Sequence, residues 1–502
     1  MHILGAVITV ASALLLQAQG LPTGSQTVFK TTPESASLSD RLQDQLTIDG
    51  LLRHSQRLQQ IAADNGNTRV FGSGGHNETI KYISQSTLEN GYLTWLEPLY
   101  LNYTERVKES AHLIIPIPDD IPIRLMTFTE STPVEGVTAP LALVSNQGCS
   151  SSDYNYKIRN SIALVKRGEC SFGEKAYEAG KAGAKALLIY NNEDGPLSGT
   201  LGQDFPPGAP TAGITKEAGE QLISFVENGD IVTLTVTIIE KREERLTYNV
   251  IAETKGGDKS KVIVIGAHSD SVSDGPGIND DGSGTSALLE LSYLFRNVVP
   301  KYAVRFCWWT GEEFGLLGSK HTQMLADEKE REKIALYLNF DMIASPNAYN
   351  GIYEGSSDTA PEGSAAIEQL FKDFFDSQGV PHDPAEYDGR SDYYQFIVNN
   401  IPAGGTFTGA EVKMTEEQAA RYKNGKAGVA YDECYHQACD NVDNLNHDAF
   451  LLHAKAMAHA IATFSESLEL IENEQSNAKQ PKAMFIPELD WPEGTLKGTK
   501  AM

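Results

Sequence analysis

Three apolar runs, 262–265, 301–310 and 335–340, have the length and composition of buried strands, and each is closely followed by a residue able to bind a metal. The first leads into Gly266-Ala267-His268-Ser269-Asp270-Ser271-Val272, the second into Glu312-Glu313, the third into Asp341. Open α/β sheets place their ligand crevices at the carboxyl ends of parallel strands. One polar residue at a strand end is ordinarily a satisfied side chain; three neighbouring ends carrying histidine or carboxylate point to one shared site. Apolar residues recur at helical spacing over 285–295, 365–377 and 448–468, enough to cover both faces of such a sheet. The fold expected is α/β, with a mainly parallel central sheet.

Twelve residues beyond His268 come Asp280 and Asp281, and far along the chain lies His436. Imidazole nitrogen and carboxylate oxygen are zinc ligands, and a catalytic zinc keeps a position open for water. Five ligands suit two ions sharing one carboxylate, and two cations ~3.5–4 Å apart clamp the oxygens of a reacting group. Adjacent glutamates usually mark a solvated loop. Glu312 and Glu313 instead lie between apolar 306–310 and Phe314-Gly315-Leu316-Leu317, and a buried acidic pair needs cations beside it.

These segments, with Gly277-Ile278-Asn279-Asp280-Asp281-Gly282-Ser283-Gly284, Trp309-Thr310-Gly311-Glu312-Glu313, Asn339-Phe340-Asp341-Met342 and Cys434-Tyr435-His436-Gln437, resemble in order and spacing the zinc aminopeptidases of family M28. The resemblance implies two Zn2+ per chain. His268 and Asp341 would bind one, Glu313 and His436 the other, and Asp280 both. Glu312 would be the general base and acid, and Tyr435 would stabilise the tetrahedral intermediate unless it is simply a packed aromatic. Asp270 either orients the His268 imidazole or caps a turn. Gly389-Arg390-Ser391-Asp392 resembles the segment whose arginine lies by the substrate, and also reads as a helix start capped by Ser391. The partners implied are peptides with a free amino end, whose ammonium group the Glu312 and Asp341 carboxylates suit. The resemblance further implies a monomer and a Cys434–Cys439 disulfide pinning the His436 loop.

Cys149 and Cys170 are the next plausible pair, leaving Cys307 buried and unpaired inside its strand. Residues 118–244 change to short strands punctuated by Gly and Pro. There Val165-Lys166-Arg167-Gly168-Glu169-Cys170-Ser171-Phe172 resembles the protease-associated domain, implying a β-rich insertion that serves as a lid, filter or partner surface, or is only a tolerated surface loop. The peptidase part is thereby split into 39–117 and 245–468. Phe71-Gly72-Ser73-Gly74-Gly75-His76 resembles a family turn, so His76 reads as structural.

With 502 residues the chain is long enough for more than one domain, and a net charge of −26 disfavours nucleic acid and anionic membrane as partners. Residues 1–20 read as a signal peptide: a short apolar stretch at 4–16, then Ala18-Gln19-Gly20 at a cleavage position. A secreted protein is expected, or one held in a vacuole or other lumen. Segment 21–38 is a short pro-peptide or a loose terminus, and tail 469–502 lies outside the motifs. Asn77 and Asn102 head glycosylation sequons. Two other enzymes on the same fold, a glutaminyl cyclase and a glutamate carboxypeptidase, are less well matched by the Asn279–Gly282 and Tyr435-His436 segments. A catalytically silent, receptor-like binding protein is opposed by the intact ligand set.

Overall fold

The computed structural model describes residues 37–202 and 205–477; segments 1–20 and 478–502, and most of 21–38, lie outside the described residues. Four parallel strands form the centre of the sheet, in the spatial order Tyr302–Trp309, Asp258–His268, Ile334–Phe340 and Ala403–Phe407. Antiparallel pairing takes over at the margins, where Thr233–Glu253 flanks one side and Gly351–Tyr353 the other. The sheet is therefore parallel at its core and mixed at its borders. Its register sets Trp309 opposite His268 and Phe340 opposite Thr406, so the central strands end nearly level.

Side chains alternate between two buried layers, as period-two strands covered on both faces require. Ile263, Ile265, Val304, Phe306, Leu336 and Leu338 point to one face and pack against the helices Ile48–Asp64, Gly282–Phe295, Ser364–Ser377 and His447–Glu466. Val262, Val264, Cys307, Trp309 and Tyr337 point to the other. That face is closed by shorter pieces, chiefly Gln323–Ala326 and Tyr393–Ile397, with Phe396 stacked on Tyr337 at 3.7 Å between ring centroids. Both faces carry helices, but the long ones gather on one side.

Leu93–Ile115 and Thr233–Glu253 form an antiparallel ribbon paired from Leu93 opposite Glu253 to Ile115 opposite Thr233. One end of Thr233–Glu253 pairs with Tyr302–Trp309 in the central sheet, and the other with Val137–Leu143. The expected seam at 244/245 falls inside this unbroken strand. Beyond it, Val137–Leu143, Ile162–Lys166, Ala186–Tyr190 and Thr211–Ile214 run parallel, with the helices Phe172–Lys181 and Lys216–Glu227 alongside and Ile123–Leu125 antiparallel at the edge. The insertion is thus an α/β layer with its own apolar core. Its Cys149 and Cys170 are disulfide-bonded, and Cys307 is a free, buried thiol.

Packing continues past 468. A helix over Glu469–Asn477 buries Ile471, and Glu474 accepts from the backbone N of Gly363 (2.9 Å) and Ala366 (2.5 Å), capping the helix Ser364–Ser377. Gly363 has no side chain to cap with, so the distant carboxylate satisfies those amides. Among the described residues no helix is long and apolar enough to cross a membrane. Asn77 is exposed on the helix Gly74–Glu89, whereas Asn102 is half-buried within the ribbon.

Candidate metal centre

His268 is the last residue of its strand and fully buried. Its backbone N donates to Asp281 Oδ2 (3.0 Å) and its carbonyl accepts from Thr285 Oγ1 (2.6 Å), so main chain as well as side chain is fixed. Nδ1 lies 3.2 Å from the carbonyl oxygen of Asp270. A carbonyl only accepts, so Nδ1 carries a hydrogen, and Nε2 is the nitrogen left to take a metal. That Nε2 is 3.0 Å from Asp280 Oδ1 and 3.6 Å from Asp341 Oδ1.

Asp280 faces two imidazoles with its two oxygens. Its Oδ2 is 3.2 Å from His436 Nε2, which is itself 2.9 Å from Glu313 Oε2. Ligands bound at ~2.0–2.1 Å around a tetrahedral zinc sit about 3.3 Å apart, so the donor spacings here suit one ion on each side of Asp280. The second oxygen of Glu313 accepts from Val272 N (3.1 Å), and Asp341 Oδ2 from Ser391 Oγ (2.6 Å). Asp341 Oδ1 is buried without a hydrogen-bond partner among the described residues. An orphaned, buried carboxylate oxygen calls for a cation, and the donor set of nitrogen and oxygen fits zinc. Asp281 also lies within ligand distance of His268 and Asp341, but its oxygens are engaged by the amides of His268, Gly284 (2.9 Å) and Met342 (3.1 Å). It builds the site without being free to ligate.

Glu312 stands apart from both ligand sets, with Oε2 3.9 Å from His268 Nε2. Gly311, at φ 66°, turns the chain after Trp309 so that adjacent glutamates take different directions. Burial drives the Glu312 carboxyl well above its ordinary range; Asp341, Asp392 and Glu313 add to this and His268 opposes it. Burial disfavours protonated His268 and His436, yet the surrounding carboxylates prevail and hold both well above the usual imidazole range. The cluster therefore needs positive charge, supplied by protons or by metal.

Asp270 combines the two roles read from sequence in an altered form. The Nδ1 hydrogen bond of His268 goes to its backbone oxygen, while Oδ1, 3.8 Å from Nδ1, accepts from Glu312 N (3.2 Å) and so caps the short helix Glu312–Phe314. Burial pushes its carboxyl up to about 7. Ser391 does not cap a helix as expected: Tyr393–Ile397 begins after Asp392 with no side-chain cap, and the Ser391 hydroxyl is taken by Asp341. Tyr435 stacks on His436 at 3.8 Å between centroids, and its hydroxyl accepts from Arg390 Nη2 (3.2 Å). Arg390 Nη1 donates to Glu411 Oε1 (2.8 Å). Cys434 and Cys439 are disulfide-bonded around this loop.

Asp280, Glu312, Glu313, Asp341, Arg390 and Tyr435 all open onto one cavity of about 290 Å³, whose lining also includes the rings of Tyr349, Tyr353, Phe407 and Tyr431. His76 stays out of it, its ring nitrogens 2.9 Å from Ser269 Oγ and 3.2 Å from Thr247 Oγ1, and burial pushes it down to about 3. Two residues that sequence reading passed over are Arg69 and Asp440. Buried Arg69 donates to the carbonyls of Ser269, Pro276 (2.8 Å) and Gly277 (2.5 Å), tying down the loop between His268 and Asp280.

Residues 249–461 match the family model "Peptidase family M28", and 137–222 match "PA domain". Leucine aminopeptidase 2 of Arthroderma otae is 44% identical over 464 residues, covering 89% of this chain and 91% of that protein. The chain belongs to peptidase family M28. A probable leucine aminopeptidase 2 of Aspergillus oryzae is 45% identical over 440 residues, covering 86% of this chain and 87% of its own. Among solved structures, the aminopeptidase from Aneurinibacillus sp. strain AM-1 superposes with a TM-score of 0.71 at 26% identity, over 86% of this chain and 97% of that one. The zinc aminopeptidase from Bacillus subtilis shares the fold, with a TM-score of 0.61 at 22% identity over 84% and 98%.

Proposed function

We propose that this M28 peptidase is a secreted two-zinc aminopeptidase that releases amino-terminal residues, leucine and other apolar ones foremost, from peptides. The observation that carries the reading is Asp280, whose two carboxylate oxygens each face a different imidazole. His268 and Asp341 would hold one ion, Glu313 and His436 the other. When bound, the pair of ions lowers the pKa of water and polarises the scissile carbonyl.

The chain's own groups do the rest. Glu312, beside the ligands but outside both sets, takes the proton of the attacking water and returns it to the leaving amine. The Tyr435 hydroxyl, aligned by Arg390, donates to the oxygen on which negative charge develops. Glu312 and Asp341 present negative charge to a substrate ammonium, which restricts cleavage to the free amino end. The aromatic rings lining the cavity suit an apolar first side chain. Leucine as the preferred residue is supported by the names of the fungal relatives. Secretion is supported by the signal-like residues 1–20 and by two disulfides, bonds that persist in oxidising compartments. Mass spectrometry of the secreted protein should find no residue before 21.

The test of the activity is a panel of aminoacyl-anilides, each with a free and an acetylated amino group. Cleavage of the free-amine forms alone, fastest for leucine, is expected. Cleavage of acetylated substrates would remove the exopeptidase assignment, and no cleavage with zinc bound would shift it to cyclase or carboxypeptidase chemistry.

A further inference from the structure

Three consecutive backbone amides lead up to the side chain of Asp280, and all three end on one residue. Ile278 N donates to the carbonyl of Asp440 (3.1 Å), Asn279 N to its Oδ1 (2.8 Å) and Asp280 N to its Oδ2 (3.0 Å). Asp440 is 1% exposed. It directly follows Cys439, whose disulfide to Cys434 closes the loop that carries His436. A second strap runs alongside: Asn279 Nδ2 donates to Asp432 Oδ2 (2.7 Å), and Asn444 Nδ2 reaches both Asp432 (3.0 Å) and Asp440 Oδ1 (3.3 Å). Arg69 takes the carbonyls just before this stretch, at Pro276 and Gly277. The loop delivering Asp280 is thus gripped by a buried guanidinium through its carbonyls and by the two oxygens of a buried carboxyl group through its amides.

We infer that Asp440 is a positioning residue that keys the shared carboxylate of Asp280 to the His436 loop, and so sets the affinity of the ion between Glu313 and His436. It touches no reacting atom. His268 and Asp341 stand on strand ends that the sheet fixes independently, whereas His436 belongs to no strand and depends on this contact. The carboxyl group matters because both of its oxygens accept from amides. An asparagine has one acceptor oxygen, and its NH2 would confront the second N–H donor. The inference rests on the two-metal reading above.

The experiment titrates zinc into the metal-free full-length protein against a chromophoric chelator, comparing wild type with Asp440→Asn, and reads two dissociation constants without using activity. Supporting interactions of this kind are worth roughly 10–100-fold in metal affinity. One of the two constants is expected to rise by that factor in Asp440→Asn, with the other changing less than about threefold. Should Asp440→Asn fail to fold, Asn444→Ala, which removes one donor from the Asp432–Asp440 strap, is expected to move the same constant the same way by a smaller factor. Unchanged constants, or two constants that weaken equally, would overturn the positioning role. Wild-type protein that binds fewer than two zinc ions would instead overturn the two-metal reading itself.

Discussion

At the scale of single residues, the proposed chemistry separates groups that bind from a group that moves protons. Glu312→Gln keeps the shape and removes the titrating oxygen, so zinc content should stay at the wild-type level while kcat falls about 10²–10⁴-fold. Loss of zinc in that variant, read by elemental analysis, would make Glu312 a ligand and undo the assignment. Arg69→Met leaves the carbonyls of Ser269 and Pro276 buried without donors, and Gly277 with only the amide of Gly282, and should cost about 2 kcal/mol or more in chemical denaturation. A loss below about 1 kcal/mol would show that water replaces the guanidinium. The residues that the structure gathers into this cluster were legible in sequence because each follows an apolar run or sits in a spaced motif. Arg69 and Asp440 were not, because their partners are backbone groups, which leave no trace in side-chain pattern.

At the scale of elements, the central strands and long helices could be read because burial on one or both faces imposes a period. Ile162–Lys166 and Ala186–Tyr190 are two of the short strands expected across 118–244. The long ribbon was hidden for the opposite reason: it is solvated along much of its length, with Lys241 and Glu105 paired across it and Arg245 lying 3.3 Å over the ring of Tyr103. Strands with charged faces lack the alternation that marks a half-buried strand. The helix Glu469–Asn477 escaped because it buries chiefly Ile471. Truncation after 468 should nonetheless lower stability by about 2–4 kcal/mol, from that apolar burial and the lost Glu474 cap. An unchanged thermal midpoint in the truncated protein would make the helix an appendage.

At the scale of the whole molecule, buried neutral imidazoles tie stability to pH. His453, packed between Thr406 Oγ1 (2.9 Å) and Asn350 Oδ1 (3.0 Å), is pushed by burial down to about 3 from an ordinary value of 6.5. Below 6.5 the unfolded chain binds a proton that the folded chain refuses, so stability is complete above that pH and declines as pH falls toward 3. His453→Gln should flatten this acid limb in denaturation measured from pH 7 to 4; an unaltered slope would mean that the ring is protonated in the fold. His76 contributes in the same direction.

The proposed aminopeptidase chemistry requires two ions acting together across Asp280. Metal-free protein should be titrated with zinc while hydrolysis of leucine anilide is followed and bound metal is counted in the same samples. The predicted result is little activity at one equivalent and a plateau at two, with activity removed again by chelation. Full activity with a single bound ion, or none with two, would contradict it.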